Sequence, residues 1–387
     1  MEINFGTSVT NCSVIFDTEG NYGIANNSMQ IHGNNWNGMA SFPNGINIVK
    51  VDNSNALNKK IDIPDSVTTM STSFYNCRNF NQNIHIPNNV VYLASTFNGC
   101  YNFNQNIRIP DSAIISIRSM FANCRNLNQN IRIPNTVISV ANMFEFCYNL
   151  NQNIQIPNSV TSVSFAFSGC RSLNQNIQIP NSVDNMSGVF NGCNNLNYDI
   201  QIPNGVSNVS YAFGNCSNLN QNIQIPNSVV NVTYMFANCL NLNQNIRIPN
   251  SVTNIGSMFS RCSNLNQNIQ IPSSVTSIYF AFSMCEYLNQ NILIPNTVRN
   301  LYRAFNGCNR MTNITVAPSR FSVGDVNSFI RKNATKSINI WTDETTAINI
   351  MNAWFIQDNI KPTMETITNG YYNAQYNVYI YTNTVFE

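Results

Sequence analysis

The sequence predicts a β-rich solenoid of stacked 23-residue coils, because three residue types recur at that interval along most of its 387 residues. Twelve prolines keep the interval, with a single step of 24 residues; eleven cysteines keep it too, and a phenylalanine lies three residues before each cysteine. The prolines are Pro64, Pro87, Pro110, Pro134, Pro157, Pro180, Pro203, Pro226, Pro249, Pro272, Pro295 and Pro318. The cysteines are Cys77, Cys100, Cys124, Cys147, Cys170, Cys193, Cys216, Cys239, Cys262, Cys285 and Cys308.

The first half of each coil has the pattern of a short strand followed by a turn. In the coil of residues 242–264, Ile246 and Ile248 flank Arg247, and this alternation indicates a strand with two side chains inside and one outside. Pro249 lacks a backbone N–H donor, so we expect it to end the strand and turn the chain.

The second half of each coil supplies most of the apolar volume. Val252 and Ile255 form an apolar pair, Met258 and Phe259 add bulk, and Cys262 is a small apolar filler. One coil cannot bury these side chains alone, so we expect each of them to contact its counterpart in the next coil.

The complete coil, LNQNIRIPNSVTNIGSMFSRCSN at residues 242–264, resembles the BspA-like leucine-rich repeats of the Treponema type. The resemblance covers about residues 57–318 and departs from the family pattern in the Asn-Gln-Asn triplet and in the Met or Ala before the Phe. It implies a right-handed leucine-rich-repeat solenoid, usual in surface proteins that bind other proteins or cells. It brings no catalytic residues with it.

We predict three domains: a β-rich N-terminal cap at residues 1–56, the leucine-rich-repeat solenoid at residues 57–318, and a small α/β C-terminal domain at residues 319–387. The segment from Asn44 to Val51 has the pattern of a degenerate first coil. Solenoids need covered ends because an open coil exposes apolar surface and strand edges. The C-terminal pattern predicts helices at residues 324–332 and 343–355, and strands at residues 337–341 and 376–382.

The low charge of the chain excludes some classes of partner. Charged residues form only 9% of the sequence and the net charge is +2, so the basic surface of a nucleic-acid-binding protein is missing. No apolar stretch reaches the roughly 18 residues of a membrane-spanning helix, so we expect no membrane insertion. Residues 1–5 do not have the pattern of a signal peptide.

The abundance of Asn has a structural interpretation. Identical charges at equivalent positions of stacked coils would lie about 4.8 Å apart and repel one another. Asn and Gln avoid that repulsion, and we expect their amides to hydrogen-bond along the stack. An AT-rich coding sequence would also favour Asn, and the residues alone do not separate the two causes.

The cysteine column predicts free, buried thiols, because stacked side chains point in parallel rather than toward one another. No CxxC motif or Cys/His pair indicates zinc. The two histidines, His32 and His85, lie in no catalytic or metal motif, and the few carboxylates of the coils lie in different registers. We therefore expect no catalytic residue, no metal and no cofactor, and a protein that is not an enzyme.

The outward position of the predicted strands gives a first candidate ligand-binding site. It contains His85, Arg108 and Arg132, with Arg78 and Arg125 in the adjoining turns. Arg108 and Arg132 are neighbours without an evident acidic partner, so an anionic group of a ligand could bind there. The alternative is that these side chains are solvated and partly screened.

A second candidate site lies five residues before the cysteines. Phe165, Tyr211, Tyr234 and Phe280 occupy this position among small or polar residues. Exposed aromatic side chains are common anchors in interfaces and in sugar stacking. The alternative is that these rings lie flat over neighbouring coils or a flanking domain.

These observations favour a non-catalytic recognition or adhesion protein. The first hypothesis is a phage virion component, a tail or receptor-binding protein assembled in the host cytoplasm, which would suit reduced cysteines. The alternatives are a bacterial or protozoan cell-surface adhesin and a purely architectural virion protein. The expected partners are a host-surface protein or glycan, and other virion or surface proteins through the terminal domains.

Overall fold

The computed structural model describes residues 47–112 and 114–317, together with the backbone of six strands outside these ranges. The strands are β1 (Ser13–Asp17), β2 (Ser28–His32), β3 (Ala40–Ser41), β4 (Ile48–Lys50), β5 (Ile61–Asp62), β6 (Ile292–Ile294), β7 (Asn313–Val316), β8 (Ile338–Thr342), β9 (Thr363–Met364) and β10 (Asn377–Tyr381). The chain divides into two compact units, Met1–Gly205 (unit 1) and Val206–Glu387 (unit 2).

The sheet of unit 1 passes from the N-terminal segment into the coils. Strand β1 is antiparallel to β2, and β2 is parallel to β4. Ile48 of β4 then pairs in parallel with Thr69, which pairs with Tyr92 of the following coil. A second, two-stranded sheet joins β3 and β5 in parallel. Consecutive coils of unit 1 therefore continue the pairing that begins at β4.

The sheet of unit 2 has the order β6-β7-β8-β10-β9. Strands β6, β7 and β8 are parallel, whereas β10 is antiparallel to both β8 and β9. The C-terminal strands thus extend the sheet of the last coils and end it on an antiparallel pair.

A column of stacked phenylalanine rings fills each unit. In unit 1 the ring centroids of Phe121 and Phe144 lie 5.8 Å apart, with ring planes 5° from parallel. In unit 2 those of Phe236 and Phe259 lie 5.9 Å apart at 11°. These side chains are essentially inaccessible to solvent. The prediction that apolar side chains of one coil contact their counterparts in the next is confirmed.

Each coil turns in two places. The N–H of Val252 donates to the carbonyl of Pro249 at 3.1 Å, which closes the turn predicted after the proline. Two further residues in each coil, five and one before the cysteine, have left-handed backbone conformation, as at Thr72 (φ 60°) and Asn76 (φ 59°). Between them, N–H groups bond alternately to their own coil and to the next coil.

The predicted strand before each proline is wrong for the central coils. The expected burial is present, since Ile246 and Ile248 are buried and Arg247 is exposed. However, the N–H of Ile246 donates to the carbonyl of Gln244 at 3.0 Å within its own coil, so it cannot pair with a neighbouring strand. Among the described coils, paired strands at this position occur only at β5, β6 and β7.

The Asn-Gln-Asn triplet forms a ladder of side-chain hydrogen bonds. In unit 1 the Oδ1 of Asn151 accepts from the N–H of Asn174 at 2.9 Å and from Nε2 of Gln175 at 3.2 Å. In unit 2 the Oδ1 of Asn243 accepts from the equivalent donors of the next coil at 2.9 and 3.1 Å. The prediction that amides bond along the stack is confirmed.

Parts of the predicted terminal domains coincide with observed strands. Strands β8 and β10 confirm the two strands predicted near residues 337–341 and 376–382. The helices predicted at residues 324–332 and 343–355 lie outside the described residues, as does Cys12. The α/β character of the C-terminal domain and the three domain boundaries stay predictions.

Candidate recognition surface

The outward row of the first half-coil faces solvent. His85 is exposed between buried isoleucines, and Arg108 and Arg132 are exposed in the same way. Nη1 of Arg132 lies 2.6 Å from Oδ1 of Asp111, with both side chains more than half exposed. The expectation that the arginine pair lacks an acid is therefore wrong for Arg132, because Asp111 follows the proline of the preceding coil. Within residues 47–112 and 114–317, Arg108 has no acidic partner.

Arginine and tyrosine alternate at the position after the cysteine in five consecutive coils of unit 1. We call these residues the Arg–Tyr ladder: Arg78, Tyr101, Arg125, Tyr148 and Arg171. The Cζ of Arg125 lies 4.0 Å from the ring centroid of Tyr101 and 5.4 Å from that of Tyr148. Arg78 and Arg171 lie 5.2 and 4.2 Å from the nearest of these rings. Each tyrosine therefore stacks with two guanidinium groups.

The backbone fixes the register of the Arg–Tyr ladder. The carbonyls of Arg78 and Arg125 accept hydrogen bonds at 3.0 Å from the N–H groups of Asn102 and Asn149 in the following coils. Equivalent residues are thereby held one above the other, within reach of a cation–π contact. Alternation also keeps like charges out of adjacent coils, where they would repel.

A cluster of aromatic residues occupies the surface of unit 2. We call it the aromatic surface: Tyr211, Tyr234, Tyr279, Phe280, Tyr302 and Arg303. The rings of Tyr211 and Tyr234 stack with centroids 4.6 Å apart and planes 4° from parallel. Phe280 meets Tyr302 edge to face at 5.4 Å, and the guanidinium of Arg303 lies over both rings.

Four members of the aromatic surface have an unfavourable backbone conformation: Arg303, with a φ of 51°, and three aromatic residues. Tyr211, Tyr234 and Phe280 have φ values of 56°, 58° and 52°. The left-handed region costs roughly 1–2 kcal/mol for a residue with a Cβ, and it is rare for bulky side chains. Other coils place Ser257 or Gly188 at the same position. The fold itself therefore does not require aromatic residues there.

The two interpretations of the aromatic row apply to different rings. Phe165 is half-buried, and a Cβ added to Gly188 of the next coil would overlap its ring, so Phe165 lies flat over that coil. By contrast, Tyr211 is 40% exposed. Its stacking with Tyr234 covers the face that each ring turns to the other, and the rest of the Tyr211 side chain is accessible to a partner.

Two tyrosines of the aromatic surface, Tyr211 and Tyr279, have a raised pKa, so their hydroxyls are hydrogen-bond donors at neutral pH. Burial, and secondarily the neighbouring Tyr234, raises the pKa of Tyr211. Burial also raises the pKa of Tyr279, with smaller contributions from the charge of Tyr234 and a hydrogen bond with it. A surface of aromatic carbons and protonated hydroxyls can bury apolar groups while donating hydrogen bonds to a ligand.

The eleven periodic cysteines are free and buried, as predicted. The Sγ of Cys100 donates to the carbonyl of Phe74 at 3.0 Å, and that of Cys262 donates to the carbonyl of Phe236 at 3.1 Å. Burial raises the pKa of the Cys77 thiol to about 12, and it raises the pKa of Cys100 and Cys262 well above the ordinary range. Protonated, inaccessible thiols are unreactive.

The described residues contain no group of three or more His, Cys, Asp or Glu side chains that could hold a metal ion. Across the same residues, no helix has the length and apolar character needed to cross a membrane.

Comparison of equivalent positions in successive coils predicted Arg78, Arg125, Tyr211, Tyr234 and Phe280 as candidate site residues. It did not predict the residues that contact them. The missed residues are Tyr101, Tyr148 and Arg171 of the Arg–Tyr ladder, and Tyr279, Tyr302 and Arg303 of the aromatic surface. The alternation R-Y-R-Y-R after the cysteines was a readable signal for the first group. Tyr279 and Tyr302 lie one register position away from the predicted row.

The stacked coils and their inner columns define a leucine-rich-repeat protein. Residues 141–266, 186–302 and 257–382 match the family described as "BspA type Leucine rich repeat region (6 copies)". The chain therefore belongs to the BspA-type leucine-rich-repeat family. Residues 49–156 also match a family described as "Mycoplasma protein of unknown function". No curated protein matches the chain.

Several solved structures are similar to this chain. A leucine rich cell surface protein from Faecalibacterium prausnitzii is 26% identical with a TM-score of 0.53, covering 81% of this chain and 95% of its own. A leucine-rich repeat protein from Bacteroides ovatus is 19% identical with a TM-score of 0.44, covering 82% and 91%. The pneumococcal vaccine antigen PcpA is 14% identical with a TM-score of 0.43, covering 88% and 96%.

Proposed function

We propose that this chain is a non-catalytic recognition or adhesion protein that acts at a cell surface and contacts its partner through the aromatic surface of unit 2. The family match and the similarity to the Faecalibacterium prausnitzii cell surface protein support this class of function. The proposal does not depend on any cofactor, and it takes the partner to be a host-surface protein or glycan.

The strained backbone at Tyr211, Tyr234 and Phe280 carries the proposal. Bulky residues in left-handed conformation persist where their side chains have a use that offsets the strain. Stacking with neighbours offsets part of it, since an aromatic pair contributes about 0.5–1.5 kcal/mol. Stacking does not require Tyr211 to stay 40% exposed, which is the property expected of an interface anchor.

Binding of the labelled, purified protein to cultured epithelial cells and to bacterial cells tests this proposal. The double variant Tyr211→Ser and Tyr234→Ser introduces the residue that other coils use at this position. We expect it to lose at least about 10-fold in affinity, since an aromatic anchor commonly contributes 2 kcal/mol or more. The matched control is Tyr75→Ser with Tyr92→Ser, which removes two exposed tyrosines of unit 1.

Circular dichroism and thermal unfolding establish that both double variants are folded before binding is compared. Equal losses in the two variants, or unchanged binding in the Tyr211 and Tyr234 variant, would contradict a role for the aromatic surface. Absence of binding by the unmodified protein to any of the cells would contradict adhesion itself.

A phage virion component, tail or receptor-binding, is the second candidate. The eleven free thiols favour it, because they suit assembly in a reducing cytoplasm. Labelling with a specific antibody separates the candidates: purified virions would carry the label in one case, and the bacterial or protozoan cell surface in the other. A purely architectural role would leave the protein in particles without any binding to host cells.

The terminal segments have a separate proposed role in assembly. The pairing of β8 with β7 supports the interpretation of the C-terminal domain as a cover for the last coil. We propose that its outer surface contacts other virion or surface proteins. Deletion of residues 319–387 would then expose the edge of β7 and lead to association of the purified protein, measurable by light scattering.

A further inference from the structure

The Arg–Tyr ladder places three cations at regular intervals on unit 1. Arg78, Arg125 and Arg171 are exposed, and none has an acidic partner within residues 47–112 and 114–205. They occur in every second coil, so their spacing is about 10 Å, twice the roughly 4.8 Å between stacked strands. The positive charges of this row are therefore balanced only by solvent ions or by an anionic ligand.

Stacking also orients the guanidinium groups. Arg125 lies between the rings of Tyr101 and Tyr148, at 4.0 and 5.4 Å from their centroids. Because the rings cover the guanidinium faces, the in-plane N–H donors are the groups left for a ligand. A planar fork of donors matches carboxylate or sulfate oxygens, and a side chain already held in place loses less entropy on binding.

We propose that the Arg–Tyr ladder binds a linear acidic polysaccharide whose anionic groups recur about every 10 Å along the chain. Each arginine would pair with one anionic group, and the hydroxyls of Tyr101 and Tyr148 lie in the intervening coils, where a neutral sugar unit would bind. This site is separate from the aromatic surface, and the inference goes beyond the proposed function by naming a ligand class.

The spacing distinguishes this ligand from other polyanions. Acidic side chains on one face of an extended peptide recur about every 6.6–6.8 Å, out of register with the arginines. A nucleic-acid strand carries a phosphate about every 3.4 Å, so most of its charge would be unpaired on this surface. The net charge of +2 adds little general attraction for such a polymer.

Titration calorimetry with size-defined hyaluronate, which has one carboxylate in each disaccharide, tests the inference. The unmodified protein should bind hyaluronate more tightly than poly-L-glutamate, and it should not bind neutral dextran. Replacing Arg125 by Gln should weaken binding about 5-fold, and the triple change Arg78→Gln, Arg125→Gln and Arg171→Gln about 100-fold.

The matched control removes the same charge elsewhere, by Arg118→Gln, Arg247→Gln and Arg261→Gln, and should change affinity by less than about 2-fold. Equal losses in both triple variants would overturn the proposal in favour of general electrostatics. Tighter binding of poly-L-glutamate would overturn it in favour of an acidic protein partner, and no hyaluronate binding would overturn it outright.

If the triple variant is unfolded by circular dichroism, the single Arg125→Gln variant decides the result. The variants used here leave Tyr211 and Tyr234 intact. The proposed role of the aromatic surface in cell binding and the proposed role of the Arg–Tyr ladder in hyaluronate binding are therefore tested on different residues. Either proposal can be contradicted while the other stands.

Discussion

Unit 1 and unit 2 have the same backbone at the position after the cysteine but different side chains. The carbonyl of Arg125 in unit 1 and that of Leu240 in unit 2 accept hydrogen bonds from the next coil at 3.0 and 3.1 Å. In unit 2 the position holds Ser217, Leu240, Ser263, Glu286 and Asn309. The Arg–Tyr ladder is therefore not needed to build a coil.

At the position five residues before the cysteine, unit 2 has the distinctive side chains and unit 1 has the ordinary ones. Unit 2 has aromatic residues such as Tyr211 and Tyr234 there, whereas unit 1 has mainly Thr72, Ser95 and Ser119 in the same left-handed conformation. The comparison teaches that the inner columns and backbone bonds define the fold, while two outer positions are free to differ. Each unit has specialised a different one.

The largest expected effect tests whether the inner columns are equivalent in both units. Eight thiols, from Cys77 to Cys285, have a pKa raised by burial above the ordinary value of 9.0. The unfolded chain loses these protons above about pH 9 while the folded chain keeps them. The free energy of unfolding should be independent of these thiols below pH 9 and fall by about 1.4 kcal/mol per thiol per pH unit above it.

Eight thiols together correspond to about 11 kcal/mol per pH unit, comparable to the whole stability of many domains. Urea unfolding at pH 8 to 11 in the presence of a reductant measures this dependence. Cys124→Ala in unit 1 and Cys262→Ala in unit 2 should each reduce the slope by about 1.4 kcal/mol per pH unit. A slope that is unchanged in either variant would show that its thiol ionises in the folded state.

The second prediction concerns the phenylalanine column. Phe144→Ala in unit 1 and Phe236→Ala in unit 2 should each cost about 3–5 kcal/mol, because both rings are buried between two others. Phe→Leu at the same positions is the control and should cost less than about 1.5 kcal/mol. Costs that differ widely between the units, measured by urea unfolding, would break the equivalence of the two cores.

The smallest expected change in the free energy of unfolding concerns the Arg–Tyr ladder. Tyr148→Ser removes the contacts with Arg125 and Arg171 and should cost about 1 kcal/mol, since an exposed cation–π contact contributes about 0.5–1 kcal/mol. Ser263→Ala at the equivalent position of unit 2 should change the free energy of unfolding by less than about 0.5 kcal/mol. A large loss from Tyr148→Ser would mean that the Arg–Tyr ladder is mainly a stabilising device.

Periodicity made the inner columns predictable, because a fixed coil length places each Phe, Cys and Asn over its counterpart. It could not reveal contacts between different registers. Arg132 pairs with Asp111, 21 residues earlier rather than 23 or 24, so reading equivalent positions did not connect them. The strand predicted at Ile246 failed because a local hydrogen bond to Gln244 competes with pairing between coils.

The candidate sites were predictable only in part. The exposed row at His85 could be predicted from the alternation of apolar and polar residues, and the aromatic row from its constant position five residues before the cysteines. The left-handed backbone conformation of Tyr211 could not be predicted from the sequence. Gly or Asn is the usual signal of that conformation, and an aromatic residue occupies the position instead. Gly188 and Gly256 lie under Phe165 and Tyr279, and such ring-to-backbone packing also has no periodic signal.

The way β8 joins the sheet bears on how a chain of this kind can evolve. Strand β8 pairs with β7 and with β10, and with no other strand among the described residues. The described C-terminal strands therefore pair with the repeats through the last coil alone, and this pairing does not depend on how many coils precede it. Duplication or loss of the gene segment that encodes one 23-residue coil would leave the first and last coils unchanged. The length of the exposed surface can therefore change while the same terminal strands continue to cover the last coil.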